Sequence, residues 1–243
     1  MDLTITVLVY SSLAAAAAAL GAAPLLVRER LPIALIGWSN ALAAGLMLGA
    51  AYALLLVALE PGSGPGAGGA LLGIGFVYWT RAASRTTELE LNRLEEMSPD
   101  YGYKILLVNT VHSSAEGVAI GAAMAVNLPF GVLVALAIAA HNVPEGTVLC
   151  AVLTSRGVRL SDAVGLAVVT NVTQVLLAVV TFAIVVAEPS VLPWALGVAA
   201  GALVFLVLFE LLPECYRQAG PRSIAMVTIV AMGIVVLLSE QGI

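Results

Sequence analysis

Residues 33–59 read IALIGWSNALAAGLMLGAAYALLLVAL, a run of 27 positions without one charged side chain. A helix of that length rises about 40 Å, more than the roughly 30 Å of hydrocarbon in a bilayer, so the stretch reads as a membrane-crossing helix. Working outward, runs of the same kind recur at Leu3–Val27, Gly66–Ala83, Tyr103–Val126, Pro129–Thr154, Leu160–Ala187, Val191–Pro213 and Ile224–Ser239. They are separated by Arg28-Glu29-Arg30-Leu31-Pro32, the glycine-rich turn 61–65, Asn127-Leu128-Pro129, Arg156-Gly157, Glu188-Pro189 and Gly220-Pro221. No Lys or Arg precedes the first run and Arg28 and Arg30 follow it, so it is expected to be a retained helix rather than a signal peptide.

Composition agrees with this reading. Of 243 residues, 61% are hydrophobic and 10% charged, and mean hydropathy is +1.05, whereas soluble domains carry about 25% charged residues. The expected fold is all-α: a polytopic membrane helix bundle of eight transmembrane helices, forming one domain over residues 1–243 with a loop at about 84–102. Nucleic-acid binding and cytosolic enzymes are excluded. Cys150 and Cys215 lie too far apart in sequence to suggest a disulfide framework or a Cys-rich metal site.

Positive charge then orients the bundle, because cytoplasmic loops collect Lys and Arg. All ten fall at the junctions that follow odd-numbered spans, Arg81 and Lys104 just inside the flanking span ends: Arg28 and Arg30; Arg81, Arg85, Arg93 and Lys104; Arg156 and Arg159; Arg217 and Arg222. Both termini are therefore expected outside, with the 84–102 loop a solvated cytoplasmic connector. Small residues at four-residue spacing, Gly45/Gly49, Gly69/Gly73, Gly117/Gly121 and Gly197/Gly201, supply the close helix packing that lipid requires.

Ionisable groups inside a bilayer are costly and mark function by default. The protein's two histidines both stand inside spans, in His112-Ser113-Ser114-Ala115-Glu116-Gly117 and His141-Asn142-Val143-Pro144-Glu145-Gly146. Each His-x-x-x-Glu pair projects from one face of its helix. At about 1.5 Å per residue, His112 lies about 15 Å from the inner start of its span and His141 about 18 Å from the outer start of the next, so both reach the midplane. Two imidazoles and two carboxylates match Zn²⁺ in ligand type, number and charge, and also suit Fe²⁺, Mn²⁺, Co²⁺ or Cd²⁺. Pro144 kinks its helix and frees the carbonyl of Ala140. Farther out, Glu210, about 28 Å into its span, and Glu214 reach the inner mouth as exit ligands, and Glu60 reaches the outer mouth.

Carried by these motifs, the chain resembles the ZIP (Zrt/Irt-like protein) divalent-metal transporters, above all in His141-Asn142-Val143-Pro144-Glu145-Gly146. Ala43-Ala44-Gly45-Leu46-Met47-Leu48, Ala199-Ala200-Gly201-Ala202 and Glu210-Leu211-Leu212-Pro213-Glu214 are similar to prokaryotic members. The resemblance implies import of divalent metal, zinc foremost, toward the cytoplasm across the cell inner membrane, by alternating access of helix groups and with no organic cofactor. It makes His112, Glu116, His141 and Glu145 the primary metal site with Met47 as an added ligand. It also maps a second metal position onto Ser113, Asn142, Glu145 and Gln174. Relatives place a carboxylate in span six where this chain has Asn171 and Gln174, so one tightly held metal is expected. Divalent metal ions and the lipid bilayer are the expected partners, nucleic acid is not, and a homodimer is left open. The 84–102 loop has no histidine, so buffering by it is not expected.

Two rival functions remain. An intramembrane zinc-dependent hydrolase could use the same ligands, but the chain lacks His-Glu-x-x-His and its pairs run His-x-x-x-Glu. A proton-coupled carrier of an organic anion would need an intramembrane Arg or Lys, which the spans do not offer.

Overall fold

The computed structural model describes residues 3–28, 31–60, 63–84 and 101–242. Among the described residues there are eight helical stretches and no strand. They are α1 (Leu3–Val27), α2 (Ile33–Leu59), α3 (Ser63–Ser84), α4 (Tyr101–Val126), α5 (Leu128–Ser155), α6 (Leu160–Ala187), α7 (Pro189–Ala219) and α8 (Pro221–Gly242). Residues 85–100, most of the expected connector with Arg85 and Arg93, lie outside the described residues, as does Arg30.

Six of the eight are long and apolar enough to cross a membrane by length and composition. The other two, α3 and α4, have 22 and 26 residues and are diluted by the residues that give them their roles: glycines in α3, and Asn109, Thr110, His112, Ser113, Ser114 and Glu116 in α4. Polarity is inverted relative to a soluble protein. Leu71, Trp79, Leu136, Ile229 and Leu237 are exposed on the outside, while Glu116, Asn142 and Gln174 are 0% exposed inside. Lipid is the solvent that makes such an arrangement favourable, since outward apolar side chains gain and inward amides such as Asn142 and Gln174 find partners.

Span ends follow local chemistry. Asn127 caps α5 by accepting a 2.8 Å bond from the Phe130 amide, and Pro129 fills the first turn, where a missing N–H costs nothing. In α6 the helix breaks at Asn171 (φ −88°, ψ 4°), whose Nδ2 donates 3.0 Å to the Ala167 carbonyl. Span seven differs from expectation. Pro213 does not end it: the chain widens into a π turn at Val207–Leu211 and continues as Leu212–Ala219. Pro213 has no N–H to offer the Phe209 carbonyl, and the extra residue of the π turn absorbs that mismatch.

The helices form two groups, α1 with α4, α5 and α6, and α2 with α3, α7 and α8. Among the described glycines every close approach falls within a group. A Cβ on Gly69 or Gly73 would strike α7, one on Gly197 or Gly201 α3, one on Gly45 or Gly49 α8. In the other group Gly117 and Gly121 abut α6, and Gly21 and Gly146 join α1 to α5. The seam between groups is made by α2 and α7 facing α4 and α5, with larger side chains such as Met47, Leu54, Ile120, Ile138 and Leu203 in the core around it.

Candidate metal centre

Glu116 on α4 and His141 and Glu145 on α5 bring one ligand atom each to within 4.8 Å of one another. His141 Nε2 lies 3.3 Å from Glu116 Oε1 and 3.9 Å from Glu145 Oε2. The glycine that closes each motif explains how the cluster is held. Gly117 seats α4 on the Gln174 carbonyl of α6, and Gly146 seats α5 on the Ala18 carbonyl of α1, contacts a side chain would prevent. Both oxygens of Glu116, both ring nitrogens of His141 and Oε2 of Glu145 are buried without a hydrogen-bond partner. Buried polar atoms are rarely left so, and a divalent cation would satisfy the Glu116 and Glu145 carboxylates and His141 Nε2 together.

His112 stands apart from these three. Its Nε2 faces Glu210 Oε2 of α7 at 3.6 Å, across the seam. Glu210, carried on the π turn and 6% exposed, is also ion-paired with Arg81 of α3. Of the paired motifs, the structure thus brings together Glu116, His141 and Glu145, with His112 one helical turn from Glu116 and turned toward Glu210.

The remaining sequence candidates have other partners. Met47 is buried in the core beside the seam. The Ser113 hydroxyl lies 2.9 Å from the Thr170 carbonyl, which accepts from it, and 2.5 Å from the Thr173 hydroxyl. Asn142 Nδ2 donates 2.8 Å to the Ala14 carbonyl and 3.0 Å to Gln174 Oε1, while Gln174 Nε2 donates 3.3 Å to the Ser11 carbonyl. These neutral side chains tie α4, α5 and α6 to one another and to α1. Glu214 accepts 3.0 Å from Arg217 and 2.7 Å from Gln218 on its own helix. Glu60 is exposed just past α2, at the end opposite the arginines.

The profile of a family described as "ZIP Zinc transporter" matches residues 84–239. The chain belongs to the ZIP zinc transporter family. Similar proteins include a putative zinc transporter of Arabidopsis thaliana, 34% identical over 90% of this chain and 36% of its own length. Zinc transporter ZIP4 of Homo sapiens is 32% identical over 49% of this chain and 18% of its own length. Zinc transporter GufA of Myxococcus xanthus is 31% identical over 49% of this chain and 47% of its own length. This ZIP chain therefore matches less than half the length of each. A plant, an animal and a bacterium all appear, so the likeness does not single out prokaryotic members. All three are named as transporters, and none supports the hydrolase alternative.

Two features of this ZIP site escape sequence reading. Arg81 counts there only as a marker of orientation, and the spans are taken to offer no interior Arg or Lys. The structure corrects this: Arg81 is only 17% exposed and reaches the carboxylate of Glu210. The hint available is its place three residues before the end of α3, followed by Ala82 and Ala83 rather than by loop residues. The polar lattice of Asn109, Thr110, Ser113, Thr170 and Thr173 around the α6 break is the other. Threonines at helix breaks carry no motif that distinguishes them from ordinary span residues.

Proposed function

We propose that this chain carries divalent transition-metal ions, zinc foremost, across the cytoplasmic membrane into the cell by alternating access. The observation that carries the reading is the buried cluster of Glu116, His141 and Glu145, whose carboxylate oxygens and imidazole nitrogen face one another without hydrogen-bond partners. Two carboxylates offset a divalent charge, and imidazole with carboxylate selects zinc-like ions over Mg²⁺ and Ca²⁺. His112, one turn from Glu116, is the fourth ligand when its side chain swings from Glu210 to the cluster.

The division into two helix groups supports the transport step. Close backbone packing binds each group internally, whereas the seam is lined by side chains, which can exchange neighbours as one group moves against the other. The site sits on α4 and α5, at that seam. Glu60 is the outer station, Glu210 and then Glu214 the inner ones, on the reading that the arginine-bearing end faces the cytoplasm. The names of the relatives point to zinc as cargo.

The test is purified protein in liposomes challenged with Zn²⁺, Cd²⁺, Fe²⁺, Mn²⁺, Co²⁺ and Mg²⁺ while internal metal is followed. Zn²⁺ should accumulate and Mg²⁺ should not. Absence of flux for every metal, with turnover of a lipid or peptide in its place, would overturn the reading.

A further inference from the structure

Arg81 is held by more than its ion pair with Glu210. Its guanidinium carbon lies 5.3 Å from the centroid of the Phe209 ring, the residue just before Glu210 on the π turn. Phe209 in turn stacks on Phe205 at 5.0 Å and 12°, and Tyr78, one turn before Arg81 on α3, meets Phe205 edge-on at 6.5 Å. Cation–π contact, an aromatic shelf and a carboxylate thus fix one arginine beside the exit carboxylate. The pair is largely withdrawn from water, with the side chains 17% and 6% exposed. The other oxygen of Glu210 faces His112, so one carboxylate is shared between a permanent cation and a metal-ligating imidazole.

A metal ion leaving the midplane toward the arginine-bearing end meets this arrangement next. His112 and Glu210 together offer it an imidazole and one negative charge. That charge is already matched by Arg81, so a divalent ion placed there is poorly neutralised and repelled by the guanidinium a few ångströms away. Without Arg81 the same two side chains would be a competent zinc pair in a low-dielectric position, and an ion would settle there. A station that binds its cargo tightly slows passage, because added ground-state binding deepens the well from which release must occur.

We infer that Arg81 is the tethered counter-cation of Glu210: it occupies the exit carboxylate between transport events and returns to it behind each departing ion, which keeps the His112–Glu210 pair a passing place rather than a second binding site. This rests on the transport reading above. It gives Arg81 a positioning role, acting through Glu210, and it gives the π turn a purpose, since that turn carries both Phe209 and Glu210 to one guanidinium.

The experiment measures zinc per chain by elemental analysis after equilibrium dialysis, and zinc flux in liposomes, for the full-length wild type and four variants. R81M should bind one more zinc than the wild type and turn over about tenfold more slowly or less. R81K, which keeps a positive charge, should bind no extra zinc. The double variant R81M/E210Q should lose the extra zinc again, a rescue that a merely structural role for Arg81 would not produce. R81Q keeps a hydrogen-bonding group without the charge and should gain the ion as R81M does, which covers the case in which the apolar replacement fails to fold. Wild-type zinc content in both R81M and R81Q overturns the inference, as does an extra zinc that persists in R81M/E210Q or faster flux with no extra zinc. Because zinc content is read separately from flux, a wild type that moves no metal while R81M gains a Glu210-dependent ion would overturn the transport reading and leave the counter-cation in place.

Discussion

His112 and Glu116 belong to one sequence pair yet face different neighbours, Glu116 toward His141 and His112 toward Glu210. The pairing itself is legible from four-residue spacing, because residues so placed share a helix face. The direction each side chain takes is not, because it depends on a carboxylate brought up by a helix far along the chain. The three convergent side chains of Glu116, His141 and Glu145 carry the first prediction. His141→Ala or Glu145→Ala should weaken zinc binding by more than about 100-fold, beyond the effect of losing an outer partner, with the helical fold retained; calorimetry and circular dichroism check it. Gln174 carries another. As Glu it would lose the amide that donates to the Ser11 carbonyl at 3.3 Å and set a carboxylate against that oxygen. Gln174→Glu should therefore melt at lower temperature than the wild type without metal. With zinc present it should recover and hold a second ion per chain, since the added charge balances a cation next to Glu145. An unchanged melt and unchanged zinc content would refute both halves.

At the scale of the helix, the four-residue glycine spacings announce close packing, but a small-xxx-small face does not name its partner. The structure supplies the pairs: α3 with α7, α2 with α8, α4 with α6 and α1 with α5. It also separates glycines that need their bareness from those that do not. A Cβ on Gly201 would collide with the Ala70 carbonyl, whereas one on Gly165 of α6 meets nothing within 4 Å. Gly201→Ala should therefore destabilise the protein, and Gly165→Ala should be neutral or stabilise it by up to about 1 kcal/mol, because alanine favours helix over glycine. Thermal unfolding in detergent distinguishes the two, and equal effects would show that the α3–α7 contact is looser than drawn. Span boundaries were largely legible from apolar runs and breakers. The continuation of α7 past Pro213 was not, because a proline inside an apolar run signals an end unless a π turn absorbs it.

For the whole molecule, the eight helices among the described residues were legible in hydropathy, and charge predicts which end of them faces the cytoplasm. Arg28, Arg81, Arg156, Arg159, Arg217 and Arg222 fall at or near helix ends that an alternating bundle brings to one side. Ser161 and Ser190 are exposed at opposite ends of that bundle, and the native Cys150 and Cys215 are buried. In intact cells an impermeant thiol reagent should label Ser190→Cys and spare Ser161→Cys until the membrane is opened; the reverse pattern would invert the topology. What hydropathy could not supply is the grouping of helices, because every span is apolar on its lipid side and the sorting lies in which backbones touch. That sorting has an outcome for how the protein tolerates change. Substitutions that enlarge a residue inside either group strike rigid backbone and should appear as loss of the protein itself. Substitutions that enlarge a residue along the seam meet movable side chains and should appear as a folded protein whose two halves are wedged. Variants could thus be sorted, by abundance against function, into broken and jammed, and the boundary between the two classes would trace the surface on which the proposed movement depends.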